Sequence, residues 1–329
     1  MAGRAPPHRE PPPAPERLVR WPDDWGVRFL ITVDVEEEFD WRRPFDPANR
    51  SITAMRAFPD AHRRFAEFGA PMLMMVDYPV ATDPLAAEMI RAATADGRSE
   101  VGAQLHAWVT PPFERAVESY QGRLPRDMES AKIDRLTDAV AEAFGAPPRA
   151  FRAGRYGLGP HTRALLAARG YRVDSSVRAR YDHSGDGGPD FRAVGPQAYR
   201  ADGLMELPLT TVFTGRARRW GARTHGPLGR VPGARGVAAR LGLLSRVALT
   251  PEDMPVADAL RAVGAAVADG LRLLVFGFHS PSLVPGHTPY VRDGDDLRRF
   301  WAWWAAVFAR LERLGVRAAS LGEVLEAAG

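Results

Sequence analysis

Five carboxylates, Asp34, Glu36, Glu37, Glu38 and Asp40, follow directly on the apolar run Phe29-Leu-Ile-Thr-Val33. Acidic runs normally sit on solvated helices or tails, so a buried strand that runs into a carboxylate cluster is unusual as architecture alone. Side chains two apart on a strand share a face, so Asp34 and Glu36 point the same way. That gives one carboxylate for a metal ion and one free to take a proton, the combination that metal-assisted hydrolysis requires. The competing reading is a solvated strand end. Three more groups with usable chemistry occupy equivalent places: His106 closes Glu100-Val-Gly-Ala-Gln-Leu105, Arg152 follows Phe151, and His279 closes Leu273-Leu-Val-Phe-Gly-Phe278. A lone histidine at a strand end is usually a capping or surface residue. Five complementary groups at strand ends read as a site, because parallel β/α folds gather their reactive groups where strands end and loops begin.

The elements that must position these residues alternate. Strands are predicted at 29–35, 71–76, 100–106, 150–154, 171–176, 204–209, 271–278 and 316–319. Helices are predicted over 51–68, 84–95 with Asp83 as N-cap, 129–144, 161–169, 256–269, 295–314 and 322–328. Strand–helix alternation implies a parallel sheet with helices on its faces. The number of units favours an α/β fold of the incomplete, distorted (β/α) barrel kind over an open doubly wound sheet. Residues 1–24, rich in Pro and Arg with no apolar run, read as a disordered leader and not as a secretory signal. Residues 25–329 read as a single domain. The alternation lapses near an Arg- and Gly-rich insertion at about 213–250, expected to be an irregular excursion outside the barrel.

The 329 residues are 45% hydrophobic and 26% charged, as in an ordinary globular protein. The absence of cysteine excludes disulfides, thiolate metal sites and thiol nucleophiles, so a metal ion must be held by histidine, carboxylate or similar donors. The net charge is +4, carried almost wholly by arginine, since Lys132 is the only lysine. A mildly basic balance does not by itself imply nucleic acid. The arginines of 214–246 lack interleaved aromatics apart from Trp220, so a basic surface loop is preferred over a nucleic-acid site. No stretch is apolar enough to span a membrane, and the expected location is the cytoplasm.

In order and spacing these segments resemble the polysaccharide deacetylases of the NodB-homology superfamily, nearest the WalW-like branch, from about Arg28 to Glu326. Thr32-Val-Asp-Val-Glu36 is similar to the family's first motif, which implies Asp34 as general base and Glu36 as metal ligand. Glu100–His106 is similar to the second, which normally supplies two metal histidines. Phe151-Arg-Ala-Gly-Arg-Tyr-Gly157 is similar to the third, implying that Arg152 steadies the catalytic carboxylate. Gly170–Ser176 with Glu206–Leu209 resembles the fourth, and Phe278–Leu283 the last, implying His279 as general acid. The resemblance further implies a divalent metal, zinc in the first instance, an acetylated carbohydrate substrate, and Trp108, Tyr156 and Gln104 as substrate contacts. The chain departs from the pattern in the second motif, where Gln104 and Trp108 replace the two histidines. The metal set then reduces to Glu36 and His106, with Glu37 or another carboxylate as candidate third ligand. An amide oxygen is a poorer zinc donor than imidazole. A catalytically degenerate protein of the same fold, binding a glycan or a partner, is therefore the alternative.

Overall fold

β1 (Arg28–Val35) is the spine of the sheet. Its residues alternate between two environments, as a period of two requires. Phe29, Ile31, Val33 and Val35 join the apolar layer beneath the surrounding helices. Leu30 belongs to a second cluster inside the curled sheet, and Thr32 and Asp34 continue its column. The computed structural model describes residues 7–113 and 117–329.

On one side of β1, in parallel, run β2 (Met72–Val76), β3 (Glu100–Leu105), β4 (Ala150–Ala153) and β5 (Val173–Asp174). The chain then makes β6 (Tyr199–Ala201) and β7 (Leu204–Glu206), an antiparallel pair whose second member lies parallel beside β5. β8 (Thr211–Thr214) and β9 (Ser245–Ala248) form a separate two-stranded hairpin. β10 (Leu273–His279) pairs in parallel with the other side of β1, and β11 (Arg317–Ala318) pairs with the start of β1. The two margins of this curled sheet meet at Thr210. Its N–H donates to the Val275 carbonyl at 3.0 Å, and its hydroxyl accepts from the Val275 N–H at 2.8 Å. The result is the incomplete α/β barrel expected from the alternation, joined across its gap by single bridges.

The same two-residue period runs through the neighbouring strands. Leu73 and Met75 of β2, Ala150 of β4, and Leu273 and Val275 of β10 face the interior with Leu30. This lower half is plugged by the C-terminal helix Leu321–Ala328, whose Leu321, Val324 and Leu325 join the cluster. That helix starts in a reciprocal capping box of Ser320 and Glu323, which satisfies its orphan N–H groups. Further along the same columns the inward positions become polar: Asp34, Gln104, Arg152 and His279.

Two parts depart from expectation. The segment read as a leader packs on the barrel from residue 7 onward; residues 1–6 lie outside the described residues. Glu10 accepts from Arg163 Nη1 at 2.7 Å, and the same guanidinium donates to Glu206 at 3.0 Å, with Asp174 3.8 Å away. Composition carries no trace of this clamp, because the partner is a buried arginine more than a hundred residues on. The excursion is also more regular than expected. It is the β8–β9 hairpin carrying two helices, Gly221–Leu228 and Ala234–Arg240.

The Arg163 cluster predicts a stability effect. Glu206 and Asp174 are fully buried, and burial raises the pKa of both carboxyls against the pull of Arg163. Arg163→Met removes their counter-charge, so urea unfolding should show a loss of about 3–5 kcal/mol, as for other broken buried ion pairs. A loss within ~0.5 kcal/mol, the range of ordinary surface substitutions, would show that the cluster does not hold the N-terminal segment to the barrel.

Candidate active site

The inward columns end in one cleft of about 270 Å³, at the C-terminal ends of the parallel strands. Asp34, Glu36, Gln104, His106, Arg152, Tyr156 and His279 all line it, with Phe39, Trp41, Phe45, Tyr120 and Tyr290 on its walls. The structure thus brings together the residues singled out from the sequence except Trp108 and Glu37.

Arg152 reaches inward from β4 and is 1% exposed. It donates to Ser175 O at 3.1 Å, Ser175 Oγ at 2.9 Å and Thr32 Oγ1 at 2.8 Å, and its Nη1 is ion-paired with Asp34. Burial disfavours its charge, but Asp34, together with Tyr156 and Asp174, outweighs burial and raises the Arg152 pKa. The other Asp34 oxygen lies 3.7 Å from His279 Nε2. After β4 the chain turns through Arg155 and Tyr156, both at φ 56°, a strained region for non-glycine residues. This turn sets the Tyr156 ring 5.9 Å from the Arg152 guanidinium. Gly154 before it is required by contact: a Cβ there would stand 2.4 Å from the His106 ring.

Both imidazoles are held from behind. His106 Nδ1 donates to Glu37 at 2.7 Å, which leaves Nε2 facing Glu36 Oε2 at 3.4 Å. His279 Nδ1 donates to Glu252 at 2.7 Å, and the His279 backbone N–H also reaches Glu252 at 3.2 Å. Their titrations diverge. Burial lowers the His106 pKa, with Glu36 pulling the other way. Burial alone would lower His279 too, yet Glu252, Glu36 and Asp34 overcome it and raise the value to about 10. Glu36 is itself pushed up to about 8, first by burial, with His279 and His106 opposing.

Trp108, expected on the substrate side, is 1% exposed and lies behind His106. Its ring stacks on the imidazole at 4.2 Å and its Nε1 donates to Glu37 at 2.7 Å. Glu37, a candidate third ligand, is spent on these two contacts and on the far side of the imidazole from Nε2. Its own N–H donates to Asp77 at 2.7 Å. Glu252 escaped the sequence reading, because it sits in a loop after β9 with no periodicity to mark it. The exposed aromatic at the mouth is Trp41, set edge-on to His279 at 5.6 Å and to Tyr290 at 5.6 Å.

The donor set fits a divalent ion between Glu36 and His106. Two ligands about 2.1 Å from a tetrahedral ion stand roughly 3.4 Å apart, which is the observed Glu36–His106 separation. The Glu37 carboxylate behind His106 is the outer partner that metal-binding histidines usually have. Gln104 stands beside them, its Nε2 3.0 Å from Glu36 and 3.1 Å from His106 Nε2, with its Oε1 buried and unpartnered. A half-turn of the amide would aim that oxygen at the same point.

No protein-family model matches the chain, and neither does the sequence of any curated protein. Among solved structures the chain is similar to a 4-α-glucanotransferase from Thermococcus litoralis, with a TM-score of 0.52, 12% identity, and 92% of this chain and 40% of that one covered. It is similar to a GH57-type branching enzyme from Pyrococcus horikoshii, with a TM-score of 0.51, 11% identity, and 92% and 70% covered. A candidate polysaccharide deacetylase from Mycobacterium smegmatis matches with a TM-score of 0.49, 21% identity, and 96% and 94% covered. At such identities the first two show a shared fold and nothing finer. Fold and site together define a distorted α/β barrel with a carboxylate–histidine–arginine cleft at its strand ends.

The Glu252 contact makes a measurable claim about His279. A folded value near 10 against an ordinary 6.5 means the pair stabilises the fold fully below pH 6.5 and loses that contribution as pH rises toward 10. In the metal-free protein, NMR titration of this imidazole should give a midpoint far above 6.5. Glu252→Gln should lower it by more than about one unit, since one unit is ~1.4 kcal/mol of charge interaction. An unchanged midpoint would remove Glu252 from the site.

Proposed function

We propose that the chain is a metal-assisted carbohydrate deacetylase, removing an N- or O-acetyl group by attack of water. The observation that carries this reading is the gathering of Asp34, His279 and Glu36, whose polar atoms lie within 4.8 Å of one another, with His106 3.4 Å from Glu36. A base and an acid thus stand side by side next to the candidate metal ligands, where an acyl group would bind. The order and spacing of the resembling motifs support the same assignment. Glu36 and His106 would hold the ion, zinc in the first instance, and its chemistry is to acidify water and polarise an acyl carbonyl.

The residues of the chain do the rest. Asp34, fixed by Arg152, accepts the proton of the attacking water. His279, kept cationic by Glu252, donates a proton to the departing amine or alcohol of the sugar. Trp41 and Tyr290 offer apolar surface to a pyranose at the mouth of the cleft. Trp108 drops out of the substrate contacts, while Tyr156 and Gln104 keep that role. The substrate is an acetylated sugar, and cytoplasmic residence belongs to the same proposal. Among the described residues no helix is long and apolar enough to cross a membrane.

One observation favours a second reading, a protein of this fold that binds a glycan without turnover. Gln104 stands where the resemblance expects a metal histidine, and its amide N–H already bridges Glu36 and His106. Zinc content of the purified protein and acetate release from acetylated chito-oligosaccharides separate the two. In the working enzyme, Asp34→Asn should cut turnover by about 10²–10⁴-fold with zinc retained. Glu36→Ala should lose zinc and activity together. His279→Ala should keep zinc and be slow at expelling the amine. A wild-type protein that takes up no metal and releases no acetate belongs to the glycan-binding reading.

A further inference from the structure

The excursion between β8 and β9 differs in charge and surface from everything else in the molecule. From Leu207 to Pro251 there is no acidic residue, while Arg216, Arg218, Arg219, Arg223, Arg230, Arg235, Arg240 and Arg246 all fall within it. Taking these eight from the 44 basic residues leaves 36 against 40 acidic ones, so the remainder of the chain is net negative. The positive charge of the protein is therefore local, not a uniform arginine bias. Among the described residues, the carboxylate ion pair made by this stretch is that of Arg218 with Asp269 at 3.0 Å.

The same stretch concentrates exposed apolar side chains. Trp220 is 59% exposed, Val231 60%, Val237 54%, Leu241 63% and Leu243 40%, five of the eleven large exposed hydrophobics described in the whole chain. Val237 and Leu241 lie one helical turn apart, joined by the bond from Leu241 N–H to Val237 O at 3.0 Å, so they face the same way. Arg223 lies 5.8 Å from the Trp220 ring. The platform beneath them is built. Gly221 packs so closely on Phe213 that a Cβ would meet the ring at 2.2 Å, and Arg235 Nε donates to His225 O at 3.0 Å, tying the two helices together. Unneutralised arginines around protruding Trp, Val and Leu have the composition of an interfacial element. The apolar groups enter the acyl boundary and the cations meet anionic headgroups.

We propose that residues 215–243 form a peripheral docking surface for an anionic lipid bilayer. The occupant is a lipid surface and not a nucleic acid, because exposed Val237, Leu241 and Leu243 have no role against phosphate and Trp220 alone could stack a base. The root of this surface abuts the cleft. Arg246 lies 3.6 Å over the Tyr181 ring and donates to Arg180 O at 2.9 Å, and Tyr181 stacks at 6.1 Å on His183, which lines the cleft. The inference does not depend on the reaction performed there.

The test is co-sedimentation of the full chain with vesicles of phosphatidylglycerol and phosphatidylcholine, against pure phosphatidylcholine, at low and moderate salt. Binding should require phosphatidylglycerol and weaken with salt as surface charge is screened. Replacing Arg219, Arg230 and Arg240 together by Gln should weaken it by about a hundredfold, at roughly fivefold for each arginine. Val237→Ser with Leu241→Ser should weaken it by about tenfold or more, since binding scales with the apolar area inserted. All five positions are exposed, so circular dichroism should match the parent. Absence of binding to phosphatidylglycerol vesicles at low salt overturns the proposal. So does binding that ignores Val237→Ser/Leu241→Ser and is matched by equal retention on DNA, which would make this a general polyanion surface.

Discussion

The ion pair of Arg152 with Asp34 is the constraint on which the rest of the site depends. A guanidinium at 1% exposure is tolerable only if its charge and its donors are met. Arg152 meets them with Thr32 and Asp34 from β1 and with Ser175 after β5, so a side chain on β4 ties three strands across the barrel interior. Asp34 is thereby a fold residue and a candidate reactive one at once. Its second oxygen is left to the cleft because the first is held by the arginine. Any substitution there is read in two currencies, stability and chemistry, and the isosteric amide is the change that disturbs the first least.

Around this pair the two histidines repeat one design with opposite outcomes. Each gives its Nδ1–H to a buried glutamate and turns Nε2 to the cleft. The glutamate behind His106 is fully buried and is itself pushed up to about 7 by that burial, so it offers little negative charge. His279 faces Glu252 together with Glu36 and Asp34, and the summed field outweighs its burial. Neighbouring groups whose environments drive their pKa values apart are those to which ligand and proton-donor roles can be given separately. The neutral imidazole is beside Glu36, where a metal would be held. The cationic one is beside Asp34, where a leaving group would need a proton.

The placement of the cleft residues was legible because a strand has a period of two and a parallel barrel has one polar end. Asp34 and Glu36, Gln104 and His106, Arg152, and His279 needed no more than that. Trp108, given a substrate contact by the resemblance alone, lies elsewhere because the strand stops before it. β3 ends at Leu105, and the chain then folds back, with the N–H groups of Val109 and Thr110 both pointing at His106 O. The indole is carried behind the imidazole and not two positions along the sheet. Glu252 left no mark, since a loop residue acquires its partner only through tertiary closure, 27 positions ahead of His279. The N-terminal segment misled for the same reason. Pro and Arg composition describes a chain with no core of its own, but Glu10 shares the Arg163 guanidinium that also pairs with Glu206. In the excursion, Gly and Pro were read as breakers when they serve as corners: Gly233, at φ 76°, starts the second helix there.

The position of the cleft follows from how the interior is filled along its axis. Leu30, Leu73, Met75, Leu273 and Val275 fill the lower half, and the C-terminal helix seals it. No polar group could enter from that side without losing its hydrogen bonds to water, at a cost of several kcal/mol for an unpaired charge. At mid-height Thr32 and Arg152 form a polar floor, satisfied entirely from within. Only above that floor do Asp34, Glu36, His106 and His279 border the cleft. The aromatic residues at the mouth, Phe39, Trp41, Phe45 and Tyr290, lower the local dielectric, so each electrostatic contact below them acts more strongly than it would in water. A sequence that keeps its inward columns apolar at one end and ionisable at the other has already decided which end can react.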